Sequence, residues 1–355
     1  MPQKDGVTLR DIAERLRLSR MTVSMALRDV PGVAAETRER VRRTAQEMGY
    51  RPDPVVSRAM ESIRLSAHQR NPTIVGFITH GPDGEWRSVP TVSQYADGIR
   101  SRAQELGMEV QVFGRGEQGM SDRRLSNILQ ARGIERLIVA PLPRTRVGER
   151  IDFDWERFTA ITLGQSLSWP PMHRCCANHF EAAVLAYHEV ARRGYRRIGL
   201  AVSRDEDQRA GGRWHGGFLK AEVDHRREPV PVFMPRDWTQ MGLRDWLHAV
   251  KPDAVIGQSS LCLEWIRAEG FNVPEDFAFA CVSRRPALRA QSVAGIRQRF
   301  EGIGGAAVSL LASSMIGNDH RPPAHPTTVE ITGEWVDGIT VPERRPNRAG
   351  SVAVA

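Results

Sequence analysis

Residues 8–27, TLRDIAERLRLSRMTVSMAL, constrain the fold more than any other stretch, because they read as two short helices joined by a tight turn. Thr8, followed three residues later by Asp11, is a capping-box start. Leu9, Ile12, Ala13 and Leu16 then fall on one helical face. Arg17 and Leu18 make the turn. Ser19 suits the N-cap of the second helix, since its hydroxyl can accept a free N–H of the first turn. In that helix Val23, Ala26 and Leu27 point inward together, which leaves Arg20, Met21, Thr22, Ser24 and Met25 facing outward or sideways. A helix start that exposes Arg, Ser and Thr beside a tight turn is what a helix-turn-helix needs to enter a DNA major groove. An ordinary helical hairpin on a protein surface would show the same apolar pattern.

Further along, Val41, Ala45 and Met48 mark a third amphipathic helix with Gly49 as its C-cap, and Arg38, Arg40, Arg42 and Arg43 lie on or near its outer face. Four pieces now stand in order: VTLRDIA (7–13), LSRMTVS (18–24), ETRERV (36–41) and MGYRPDP (48–54). In these pieces and their gaps the chain resembles the lactose-repressor family of bacterial transcription regulators, and the resemblance runs over nearly all of residues 7–341. Later matches are GYRRIG (194–199), with Tyr195 in place of the family's histidine, and VPEDFAF (273–279).

A length of 355 residues suits two or three domains rather than one small core. The formal net charge is +8, and residues 1–70 hold 14 Lys/Arg against 9 Asp/Glu, a positive bias that suits phosphate contact. Arginine-rich composition alone also produces such a bias. The four cysteines, Cys175, Cys176, Cys262 and Cys281, form neither a disulfide framework nor a CxxC metal spacing, and they read as buried thiols in a reducing cytosol. The chain opens on no signal peptide and holds no apolar run of membrane-spanning length, so a cytoplasmic protein is expected.

From Thr73 the periodicity changes. TIVGFIT (73–79), MEVQVF (108–113), RLIVAPL (136–142), TAITLG (159–164), RRIGLAV (196–202), PVPVFM (229–234), DAVIGQ (253–258) and FAFACVS (277–283) read as strands. Amphipathic helices are expected between them, near 93–106, 122–133, 180–194, 213–223, 241–250 and 261–270, with a last long helix at 302–317. Strand and helix in alternation make a doubly wound α/β pattern. It divides into two lobes, with crossovers expected near 160–165, 285–300 and 328–334. Such lobes leave a ligand-sized cleft at the carboxyl ends of their strands. WVDGIT (335–340) lies where the family's closing strand sits.

With what the resemblance implies, the expected fold class is an N-terminal all-α helix-turn-helix domain with a hinge helix, then an α/β two-lobed core that looks like the periplasmic-binding-protein type. The boundaries read as 7–52 for the DNA-binding domain, 53–64 for the hinge helix, 73–341 for the effector-binding and dimerisation core, and 342–355 for a disordered tail. Residues 65–72 read as a connector. Asp53 and Pro54 suit a helix start, but an isolated helix of that length is marginal in water. The resemblance implies that it folds on DNA and wedges a side chain between base steps of the minor groove. The wedge position, nine residues after Tyr50, is Ala59, which is too small, so Met60 beside it is the candidate.

For DNA contact the resemblance implies Thr8, Ser19, Arg20, Met21, Thr22, Ser24, Met25, Arg28, Thr37, Tyr50, Arg51, Val56, Ala59 and Met60. Arg20, Met21 and Met25 match the groove-facing positions, and core packing is the alternative for the two methionines. Arg28, one turn beyond Met25, is a substitute contact. For the effector it implies Arg213, Trp214, Ser260 and Ser283. The family arginine three residues before a glycine is Arg213 if the glycine is Gly216, and Trp214 if it is Gly217. The family's asparagine-aspartate pair falls on Ser259-Ser260, and Ser283 stands at a second acidic place. An arginine that has lost two carboxylates would suit an anionic sugar derivative. Trp214, Trp86 and Trp169 are candidates to stack on a ring, with packing as the alternative for each.

No turn carries GxGxxG or GxxxxGK[ST], so no nucleotide cofactor is expected. His173 and His179 flank Cys175-Cys176, but no third catalytic partner is fixed, so neither metal nor catalysis is expected. The reading is a homodimeric, sequence-specific regulator, most naturally a repressor, that binds a near-palindromic double-stranded operator under control of a small molecule. The alternatives are a small-molecule binding protein or an enzyme fused to a DNA-binding module, and a regulator that has lost its effector.

Overall fold

The computed structural model describes residues 7–27, 32–50, 72–81, 84–116, 119–146, 148–284, 292–316 and 322–344. The side chains of 260, 315 and 316 are also outside this description. Arg28, Arg51, Val56, Ala59 and Met60, and with them the whole expected hinge helix, lie outside the described residues. The chain separates into two compact units, Met1–Asn71 and Pro72–Ala355.

The first unit holds α1 (Leu9–Leu16), α2 (Arg20–Leu27) and α3 (Ala35–Glu47). The capping box forms: Asp11 N–H donates to the Thr8 hydroxyl at 3.4 Å, and Thr8 N–H donates to the Asp11 carboxylate at 2.7 Å. Arg17 ends α1 in the left-handed region at φ 53°, and Leu18 N–H closes the turn on the Ala13 carbonyl at 3.0 Å. Ser19 caps α2 by accepting from Thr22 N–H at 3.0 Å. Ile12, Ala13, Val23, Ala26, Val41 and Ala45 form the core, sealed by Leu9, Leu16, Leu27, Met48 and Tyr50. Met48 caps α3, and Gly49 follows at φ +72°, the left-handed position that glycine adopts without strain.

In the second unit β1 (Thr73–His80), β2 (Met108–Arg115), β3 (Arg136–Val139), β4 (Thr159–Leu163), β5 (His173–Ala177) and β10 (Thr328–Ile331) form one sheet in the order β10-β5-β4-β3-β1-β2. All its pairings are parallel. One face packs on α4 (Pro90–Glu105) and α11 (Phe300–Ile316), the other on α5 (Asp122–Ala131) and the segment through Phe153, Trp155 and Phe158. This is lobe 1. Lobe 2 has β6 (Ile198–Ala201), β7 (Ala254–Gly257), β8 (Ala278–Arg284), β9 (Ala294–Arg297) and β11 (Glu334–Val336) in the order β11-β9-β8-β7-β6, with only the β11–β9 pairing antiparallel. Its helices are α6 (His179–Arg192), α7 (Arg204–Arg209), α8 (Arg213–Asp224), α9 (Gln240–Val250) and α10 (Ser260–Ala268).

Three expectations are corrected. PVPVFM is not a strand: Phe233 makes a single bridge to Ala201, because Pro229 and Pro231 have no N–H to donate to a ladder. The first crossover is at Asn178 rather than 160–165, since HRCCA returns to the first sheet as β5. The other two crossovers fall within the expected ranges, at 298–299 between β9 and α11 and at 332–333 between β10 and β11. The tail begins ordered. Tyr195 Oη donates to the Pro342 carbonyl at 3.0 Å, and the Arg344 guanidinium stacks 4.6 Å from the Tyr195 ring centroid and pairs with Asp253 at 2.8 Å.

Candidate nucleic-acid interface and interlobe cleft

In α2 the residues split as their spacing dictates. Val23 and Ala26 are fully buried, while Arg20 is exposed and Met21 is 72% exposed. Leaving a methionine in water forgoes its burial energy, roughly 1.5–3 kcal/mol, so packing does not account for Met21. Met25 is different. It is half-buried, and a Cβ added at Gly32 would lie 3.5 Å from its terminal methyl, so Met25 packs beside Gly32. Thr22 and Ser24 are half-buried, and the Ser19 and Thr22 hydroxyls bond each other at 2.8 Å. Thr8 is exposed, with its hydroxyl occupied by Asp11. Thr37 is half-buried in the first turn of α3, and Tyr50 is half-buried against the small core. Arg40, Arg42 and Arg43 are exposed as expected, whereas Arg38 turns back to donate to the Val33 carbonyl at 3.2 Å.

The cleft lies where the carboxyl ends of the two sheets face each other. On the lobe 1 side, His80 ends β1 with Nε2 bonded to the Ala140 carbonyl at 3.0 Å. Gln165 donates to Cys176 Sγ at 3.2 Å, and Arg174 Nη2 donates to the Leu167 carbonyl at 2.7 Å. Thr162 Oγ1 is buried with no hydrogen-bond partner among the described residues. On the lobe 2 side, the His179 ring meets Trp214 edge-on at 5.1 Å, and both His179 Nδ1 and Trp214 Nε1 are buried without partners among the described residues. Gln258, at the end of β7, accepts from Ser203 N–H at 2.5 Å and so ties β7 to the cap of α7.

The effector residues read from sequence do not assemble as expected. Arg213 is not a bare cation: it pairs with Glu330 of β10, a carboxylate 117 positions away. The premise of an arginine without carboxylates therefore fails. Trp214 is only 5% exposed within the lobe 2 core, so its ring faces are not available for stacking. Trp86 is buried, with Arg87 and Arg100 guanidinium groups 4.8 and 5.2 Å from its ring centroid, and Arg150 covers Trp169 at 4.9 Å. Ser283 is half-buried on β8, and Ser260 is the first residue of α10. Of the two glycines, Gly217 is where α8 crosses α6, since a Cβ there would lie 2.3 Å from the Phe180 carbonyl oxygen, while Gly216 has ordinary room. Sequence reasoning missed Glu330, Glu206, Arg209, Arg144, Gln165, Thr162 and Gln258. No spacing signal links such residues; only sheet order brings them together.

Burial sets the charge state of the titratable groups at the cleft. Burial pushes the Cys175 thiol up to about 12 and Cys176 up as well, so both stay protonated and weakly nucleophilic. Burial, then the Arg213 charge, pulls His179 down to about 4, and burial pulls His80 down to about 4. Both are thus neutral when folded but protonate near pH 6.5 when unfolded. Their contribution to stability is complete above about pH 6.5 and is lost as pH falls from there toward about 4. The thermal midpoint of the core should drop over that window, and His179→Gln should flatten the drop. An equally steep profile in the variant would remove His179 from this account.

Residues 8–53 match the bacterial regulatory proteins of the lacI family, and residues 187–341 match a periplasmic binding protein-like domain. An HTH-type transcriptional regulator of Mycobacterium tuberculosis is 33% identical over 110 residues, 31% of this chain and 28% of its own length. The transcriptional repressor CytR of Escherichia coli is 24% identical over 218 residues, 58% of this chain and 56% of its own. The chain thus spans about a quarter and about half of the length of these relatives. A transcriptional regulator CelR–cellobiose complex superposes with a TM-score of 0.59 at 20% identity, over 94% of this chain and 99% of that one. A lac repressor dimer bound to operator and an anti-inducer superposes at 0.55 and 20% identity, over 95% and 100%. Among the described residues no helix is long and apolar enough to cross a membrane. The chain thus carries a helix-turn-helix of the lacI type at residues 8–53, followed by a periplasmic-binding-protein-like domain at 187–341.

Proposed function

We propose that this protein is a sequence-specific transcription repressor of the cytoplasm, not an enzyme, that binds a near-palindromic double-stranded operator as a homodimer. A small molecule, a sugar or sugar derivative, held between the lobes controls its affinity for DNA. The observation that carries this reading is one chain joining an exposed Arg20–Met21 helix start to a two-lobed α/β core with buried polar atoms at its cleft. The pairing of Arg213 with Glu330 withdraws the argument for an anionic effector. The division at Asn71 and Pro72 supports separate DNA-binding and effector-binding domains. Control then works as a population shift: a ligand that prefers one arrangement of the lobes moves the protein toward it.

Arg20 and Met21 read base edges, while Ser19, Thr22, Ser24 and Thr37 serve the backbone. Met25 supports α2 from behind. Selection of sites from random duplexes should yield paired half-sites related by a two-fold axis. Recovery of no preferred sequence, with binding that depends only on salt, would sink the reading. Arg20→Ala should cost roughly 1–3 kcal/mol on the selected site and relax one base position. Equal weakening on every sequence would make Arg20 a phosphate contact.

A further inference from the structure

A short segment of lobe 2 carries ion pairs and a hydrogen bond to lobe 1. Glu206 and Arg209 lie on α7, and Arg213 opens α8. Between the helices Gly211 and Gly212 sit at φ +73° and +72°, a left-handed pair that turns the chain there. Glu206 pairs with Arg144, in the segment after β3. Arg209 Nη1 donates to the Leu142 carbonyl at 2.8 Å, and its Nε lies 3.6 Å from Glu206. Leu142 is itself pinned, its N–H donating to the buried Ser166 hydroxyl at 2.8 Å. Arg213 pairs with Glu330 on the far strand of lobe 1. The Glu206 and Arg209 side chains are only 16% and 19% exposed, so this part of the bridge is sheltered from water. Screening by salt is weakest for such sheltered charges, and strongest for the outer Arg144, which is 61% exposed.

We propose that Arg144–Glu206, Arg209–Leu142 and Arg213–Glu330 form a latch that holds the two lobes together. The cleft then opens by breaking the protein's own ion pairs, and a ligand must compete with them to enter. The latch rests on reading the cleft as the effector site, but its geometry can be measured without effector or DNA.

The test is the distance between spin labels on introduced cysteines in the full chain, Arg132→Cys in lobe 1 and Leu219→Cys in lobe 2. Both positions are exposed, and all four native cysteines are buried. With labelled protomers diluted in an excess of unlabelled protein, so that pairs within one protomer dominate, the wild-type background should give one distance. Glu206→Gln should add a longer population, and so should the milder Arg144→Met, which alters an exposed side chain and keeps the fold. Salt at 1 M, where the screening length is about 3 Å, should lengthen the wild type more than Glu206→Gln. One unchanged distance across wild type, both variants and high salt would overturn the latch. A wild-type core already open without ligand would overturn it too. A core that remains latched but selects no DNA would instead refute the regulator reading and leave the latch standing.

Discussion

Gly98→Ala should destabilise the core by about 3 kcal/mol, the upper end of the usual cost of overpacking. Helices α4 and α11 cross there so closely that an added Cβ would lie 1.8 Å from the Glu301 carbonyl oxygen. That oxygen belongs to a helix backbone and cannot rotate aside. The same crossing is tight from the other side, where a Cβ at Gly304 would lie 2.3 Å from the Tyr95 carbonyl oxygen. The helices must therefore part, and Tyr95, Ile99 and Ile303 lose their packing. Urea unfolding of the two variants Gly98→Ala and Gly302→Ala checks this. At Gly302 the nearest atom to an added Cβ is 3.7 Å away, so alanine there should be neutral or gain up to about 1 kcal/mol of helix propensity. Similar small changes at both positions would mean that the crossing separates at little cost.

A second large effect is expected at Ile12. Its side chain is fully buried, and among the described residues the cluster around it draws on residues between Val7 and Tyr50. Removing three of its carbons should cost about 2–5 kcal/mol. A unit of this size buries too little surface to absorb such a loss. Ile12→Ala should therefore unfold the helix-turn-helix at working temperature and remove operator binding, while the melting of residues 72–344 stays unchanged. Calorimetry on the full chain, with operator titration alongside, reads both. Retention of operator affinity within about threefold would show that the small core has stability to spare.

Local chemistry made the amino-terminal unit legible from its residues. Thr8 and Asp11, the Arg17–Leu18 turn and the Ser19 cap depend on neighbours within five positions, the inward Val23 and Ala26 follow the helical period, and each took the expected place. Met25 was not legible, since its contact is with Gly32, seven residues on. In the α/β unit the apolar strands and the helices between them declared themselves by period. PVPVFM misled because apolar content was weighed without the missing proline donors. HRCCA, AGIR and TVEI were hidden for the opposite reason. They are short and carry polar side chains, and they become strands because an edge or gap in a sheet accepts them.

The cleft marks the same division. Sequence alone determined that this chain has a helix-turn-helix start, an alternating α/β core and two lobes, because propensity, capping and periodicity act over a few residues. Only the tertiary structure decided that Arg213 meets Glu330, that Glu206 meets Arg144, and that Trp214 turns into its own lobe. Those outcomes follow from strand order and from where the chain crosses between sheets. A charge reads only as a charge until the fold fixes which opposite charge stands within 4 Å of it.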